Sequence, residues 1–87
     1  MTGAGAEAST PLKSLIHAIA VELVDHPDEV EVTEIAGDRN TVIELRVAKD
    51  DIGKVIGKEG RTAQSMRTIL TAVSTKLGRR AHLDIVD

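Results

Sequence analysis

The stretch DIGKVIGKEGRTAQSMRTIL, Asp51 to Leu70, decides the fold. Ile52, Val55 and Ile56 stand at helical spacing, Gly57-Lys58-Glu59-Gly60 breaks the run, and Ala63, Met66 and Leu70 resume steps of three and four, continued by Val73 and Leu77. A short helix, a corner and a long amphipathic helix are predicted. Two glycines bracketing two residues let the backbone turn sharply, through positive φ, and leave no side chain to hold a ligand away from the main chain. Asp50 or Asp51 is expected to cap the short helix, and Gly78 to cap the end of the long one.

Working outward, the period changes to two on both sides of this segment. Val30 and Val32 alternate with Glu31 and Thr33, Gly37-Asp38-Arg39-Asn40 turns the chain, and Ile43, Leu45 and Val47 alternate with Glu44 and Arg46. That is a hairpin with one core face. Downstream, Ala81, Leu83 and Ile85 alternate with His82, Asp84 and Val86 in a last strand. Two helices separate this strand from residues 41 to 48, a crossover long enough to make the two strands parallel neighbours. Upstream, Thr10 and Pro11 open a first helix whose core stripe is Leu12, Leu15, Ile16, Ile19 and Leu23, ended by His26-Pro27. Residues 1 to 9 are small and polar and are expected to form a disordered tail, leaving 10 to 87 as a single domain. The order is α-β-β-α-α-β, an α+β fold with three helices on one face of a three-stranded mixed sheet.

Composition narrows the function. With 87 residues the chain can bury one core but has little margin of stability. Without cysteine there is no disulfide and no thiolate metal site, and the N-terminus lacks the blocks of a signal peptide, so a cytoplasmic location is expected. Apolar runs fall short of the roughly 20 residues that span a bilayer. The chain contains no Phe, Tyr or Trp, so any nucleic-acid site must be aliphatic and electrostatic rather than built on stacked rings. The net charge of −3 conceals a strong asymmetry: residues 1 to 52 hold four Lys/Arg against eleven Asp/Glu, whereas residues 53 to 81 hold seven against one. A local positive segment attracts phosphates while the acidic remainder discourages indiscriminate binding.

The corner is where these cations matter. Beyond Gly60 the long helix starts with unpaired N–H groups and the positive end of its dipole, beside Lys54, Lys58 and Arg61. Together they suit an anion such as sugar-phosphate. The competing reading is that Gly57 and Gly60 serve only as cap and turn between helices. A P-loop is excluded because three residues separate Gly53 from Gly57 and Glu59 follows Lys58. No Ser/His/Asp or paired-carboxylate constellation is identifiable, so no enzyme, cofactor or small-molecule substrate is expected. His17, His26 and His82 lie on different elements without ligand spacing, which argues against a metal site. Arg79 and Arg80 lie about 24 Å from the corner by helix length, too far to touch the same phosphate, and favourable charge at a helix C-terminus is preferred to RNA contact as their explanation.

Asp51 to Leu70 resembles the (I/V)IGxxG core of KH domains, and the element order resembles their type II arrangement. A chain of this size is similar to the small bacterial KhpA family. The resemblance implies that about four nucleotides of single-stranded RNA lie in a groove, with the backbone clamped at Gly57, Lys58, Glu59 and Gly60. Lys54, Ile56 and Arg61 are the adjoining candidates, with Ile52 and Val55 as groove or core residues. Glu59 sets a carboxylate inside the clamp, which would oppose phosphate unless it faces solvent or pairs with a cation. The short turn at Gly37 to Asn40 takes the place of the family's variable loop. Val21 and Val24 lie off the core stripe of the first helix and are candidates for a protein contact. The resemblance also implies self-association into a homodimer and pairing with a larger KH-containing KhpB-like partner in cell elongation and envelope growth. An interaction module with incidental RNA binding is the alternative.

Overall fold

The hairpin forms because valine and isoleucine alternate with polar residues on either side of a turn closed by Gly37 N–H donating to Asn40 C=O at 2.7 Å. Strand β1 covers Glu31–Ala36 and β2 covers Asn40–Arg46, antiparallel, with Val32 opposite Leu45 and Glu34 opposite Ile43. The computed structural model describes residues 11–38 and 40–86. The tail, the Thr10 cap and Arg39 of the turn lie outside the described residues. Strand β3, Arg80–Val86, runs parallel to β2 with Ile43 opposite Leu83, as the crossover length requires, so the sheet order is β1-β2-β3.

Three α-helices cover one face of this sheet: α1 over Pro11–Leu23, α2 over Ile52–Ile56 and α3 over Arg61–Lys76. Their core faces meet Val32, Ile43, Leu45 and Leu83, and the large apolar side chains buried completely are Leu12, Ile16, Ile43, Leu45, Val55, Met66 and Leu70. This is the architecture expected from the sequence. No helix among the described residues is long and apolar enough to cross a membrane.

Three local readings are corrected. In α1 the line of deepest burial is Leu12, Ile16 and Ala20, one residue per turn, and Leu15, Ile19 and Leu23 flank it half-buried. Leu77 continues the apolar period of α3 yet is 44% exposed, because the helix stops before it. Gly78, at φ +76, closes the end: its N–H donates to Thr75 C=O and the Arg79 N–H donates to Ser74 C=O, each at 3.0 Å. That pairing is a Schellman cap. Finally, neither Asp50 nor Asp51 caps α2; Asp51 stands at the cap position but its carboxylate is engaged elsewhere.

Candidate functional site

Between α2 and α3 the backbone takes a left-handed corner. Gly57 has φ +79 and ψ 171, a region open in practice only to glycine, and an added Cβ would overlap Thr62 Oγ1 and lie 2.8 Å from the Thr62 backbone nitrogen. Glu59 and Gly60 also have positive φ, at +58 and +74. Gly60 has open space around it, so its requirement is conformational and not steric. The short bonds that fix the corner are Gly57 N–H to Gly53 C=O at 2.9 Å and Gly60 N–H to Gly57 C=O at 3.1 Å. No side chain caps the start of α3, which leaves the positive end of a 16-residue helix open to the solvent side of the corner.

The side chains sort into three groups. Lys58 is exposed and has no ion-pair partner among the described residues. Glu59 does not face the corner alone: its Oε1 pairs with Arg61 Nη2 at 3.2 Å, both side chains largely exposed. That contact gives the carboxylate a cationic partner, at the cost of part of the Arg61 charge. Lys54 is held on the other side, its Nζ 3.2 Å from Asp25 Oδ2 and 3.7 Å from Asp51 Oδ1. Hydrogen bonding to Asp25 raises the Lys54 ammonium above its ordinary range, with Asp51 adding to the effect. Its charge is therefore already shared with two carboxylates. Ile56 is 38% exposed beside the corner, whereas Val55 is fully buried and Ile52 packs against the core.

Sequence reasoning missed the residue that positions this corner. Asp51 is fully buried, and its two carboxylate oxygens accept the backbone N–H groups of Asp25 at 3.1 Å and His26 at 3.0 Å. Burial by itself would push the Asp51 carboxyl up; these two bonds, with the nearby His26 and Lys54, outweigh burial and hold it below its ordinary value. The carboxylate thus ties the start of α2 to the segment that follows α1. It also missed Arg67, whose Nη2 donates to Leu83 C=O at 3.4 Å across the gap between α3 and the free edge of β3. Thr62, whose side chain fills the space a Cβ on Gly57 would need, is the third. Spacing along α3 places Arg67 on the face shared with Gln64 and Thr71, which was the available signal.

The Gly37–Asn40 turn stands at the opposite end of α3 from the corner, where Asp38 shares a pocket with Leu77, Gly78, Arg79 and Arg80. It faces the far end of the helix because β2 and β3 start together, Asn40 opposite Arg80. Among the described residues no group of three or more His, Cys, Asp or Glu is placed to hold a metal ion.

The family model described as KhpA/KhpB, KH domain matches residues 13–85. Among curated proteins, the RNA-binding protein KhpA of Aquifex aeolicus is 53% identical over 76 residues, 87% of this chain and 96% of that one. The RNA-binding protein KhpA of Halalkalibacterium halodurans is 51% identical over 76 residues, 87% of this chain and 100% of that one. Among solved structures, Aquifex aeolicus Era bound to GDP.AlF4- superposes with a TM-score of 0.59 at 21% identity, covering 86% of this chain. The chain spans 29% of that longer protein, and the likeness is one of fold.

Proposed function

Because this chain belongs to the KhpA/KhpB KH-domain family, we propose that it is a non-catalytic protein that holds short segments of single-stranded RNA at the Gly57–Gly60 corner. The observation that carries this reading is the corner itself. A left-handed, glycine-flanked backbone lies beside the uncapped start of α3, with Lys58 unpaired among the described residues. The sugar-phosphate lies against the main chain there, where Gly57 and Gly60 present no side chain, and Lys58 supplies the charge. Arg61 joins it when its pair with Glu59 opens. Bases rest on Ile56 and its aliphatic neighbours, since no aromatic ring exists to stack on. Lys54 stays at the rim, tethered to Asp25 and Asp51. The names carried by the relatives support the ligand class.

The finer reading is a cytoplasmic RNA chaperone or post-transcriptional regulator, built as one KH domain over residues 10 to 87. It forms a homodimer or pairs with a larger KH-containing KhpB-like protein, and acts in cell elongation and envelope homeostasis. Apolar surface for such association remains at Ile35, Ile69 and Leu77, each roughly half exposed, while Val21 and Val24 are partly covered by the core.

The test replaces Lys58 and Glu59 together with Asp, both exposed positions, and compares RNA affinity by fluorescence anisotropy with the thermal unfolding midpoint. The expected outcome is a folded variant with its RNA affinity lost. A folded variant with full affinity sinks the clamp, and the interaction-module reading takes over.

A further inference from the structure

Of the three cations around the corner, Lys54 is the one restrained from outside it. Its Nζ lies 3.2 Å from Asp25 Oδ2 and 3.7 Å from Asp51 Oδ1. Asp25 is the nearer of the two and does most to raise the Lys54 ammonium above its ordinary range. It belongs to the segment after α1, where residues 22 to 31 carry Glu22, Asp25, Asp28, Glu29 and Glu31 and no Lys or Arg. Asp51 Oδ1 places both partners, accepting the Asp25 backbone N–H at 3.1 Å while facing the Lys54 ammonium. One buried carboxylate therefore brings the exposed pair together.

Nothing buried is orphaned when Lys54 lets go. Asp51 retains its two backbone N–H donors, from Asp25 and His26. The Asp25 side chain is 70% exposed and the Lys54 side chain 43%, so water takes over at both. The freed ammonium has a second place to go. Asp51 stands one turn before Lys54, and Gly57, the C-cap of α2, one turn after it; residues at such spacing are neighbours on a helix surface, about 5–6 Å apart. The flexible stem of a lysine spans that distance, so the side chain that leans back on Asp51 can lean forward over the backbone of Gly57. An exposed ion pair is weak and screened by salt, which makes the restraint graded and not absolute.

We propose that Asp25 sets the RNA affinity of the corner by withholding Lys54: its carboxylate competes with a phosphate for the ammonium, and Lys54 joins the clamp in the fraction of molecules where Asp25 has released it. This rests on the RNA-binding reading of the corner and adds a residue outside the clamp that tunes it. A phosphate that recruits Lys54 must first displace Asp25, so the affinity stays below what the cations alone would give. A ligand that brings no phosphate over Gly57 leaves the pair undisturbed.

The experiment uses the full chain and fluorescein-labelled oligouridine of about four nucleotides, titrated by anisotropy at several salt concentrations. Asp25→Asn removes the charge and keeps the backbone N–H that Asp51 accepts. It is expected to bind about two- to fivefold more tightly than wild type at low salt, the range set by releasing an exposed pair. Its log-log salt slope should be steeper by up to about 0.7, one added phosphate contact. Asp25→Ser, shorter and equally uncharged, must reproduce the gain, which excludes a new contact made by the asparagine amide. Asp28→Asn makes the same change of charge at an exposed position that does not pair with Lys54, and should gain less and keep the wild-type slope. Lys54→Gln should cost more affinity in the Asp25→Asn background than in wild type. The proposal is overturned if Asp25→Asn binds as wild type does, or if its gain survives the addition of Lys54→Gln. It is overturned too if Asp28→Asn reproduces both gain and slope, since overall charge would then account for the effect. Wild type failing to bind the oligonucleotide would instead remove the RNA reading of the corner, and the role of Asp25 with it.

Discussion

At Gly57 and Gly60 the same residue type is required for different reasons, and the difference is measurable. Gly57 combines a backbone conformation that L-residues rarely adopt with a neighbour, Thr62, that fills the space a methyl group would need. Gly60 is left-handed but unobstructed. We therefore expect Gly57→Ala to lower stability by about 3 kcal/mol or more, strain and overlap together. Gly60→Ala should cost about 1–2 kcal/mol, the ordinary left-handed penalty. Urea unfolding of the two variants checks the order; equal losses would mean that the contact with Thr62 relaxes freely. Glu59 occupies the remaining left-handed position as a non-glycine, at φ +58, and so carries a similar penalty without relief from the missing Cβ. Its pairing with Arg61 is exposed and worth little by itself. In the proposed clamp, Lys58 is therefore the main source of charge.

The short helix α2 has five residues and no side-chain cap, too little to fix its own direction. Its orientation comes from Val55 in the core on one side and from Asp51 on the other, whose carboxylate gathers two backbone N–H groups from the segment after α1. Because the folded Asp51 is held below its ordinary value, its contribution is fully present above the unfolded value near 3.8 and is lost as pH falls through the folded one. Asp51→Asn is thus expected to lower the unfolding midpoint at neutral pH and to flatten its fall on acidification below about pH 4. Thermal melts across that range decide it; a variant with the wild-type pH profile would show that the carboxylate is not the acid-labile tie. Little of this was legible in the sequence. Period-two runs gave the hairpin and the last strand, and period-3.6 runs gave the helices, because one-sided burial writes itself into local spacing. Asp51 reads locally as a helix cap; its partners are backbone groups 25 and 26 residues away, which carry no side-chain signature. Leu77 misleads for the complementary reason, since its spacing fits the stripe of α3 and only the cap at Gly78 removes it from the core. The residues of the corner were legible as a cluster, but the division between Lys58, unpaired among the described residues, and Lys54 and Arg61, both tied, depends on neighbours brought in by the fold.

For the whole molecule, the acidic balance and the basic corner are two halves of one property. An overall charge of −3 repels polyanions at long range, while the local cations act only within about a Debye length. Binding of a short strand that meets two or three phosphates should then show a shallow salt dependence, a log-log slope of about −1.4 to −2. A slope several-fold steeper on the same short strand would mean that a wider basic surface is engaged. The sheet adds a constraint of a different kind. Asn40 pairs with Arg80 and Arg46 with Val86, so the β2-β3 ladder closes a loop of about forty residues that contains α2, the corner and α3. Joining strands so distant in sequence is slow relative to local helix and hairpin formation. Until that ladder forms, β2 is itself an open edge and the face on which α3 rests is incomplete. A ligand that binds the corner only in the completed fold therefore favours the closed loop. Ligand occupancy and sheet completion become linked equilibria, each raising the population of the other.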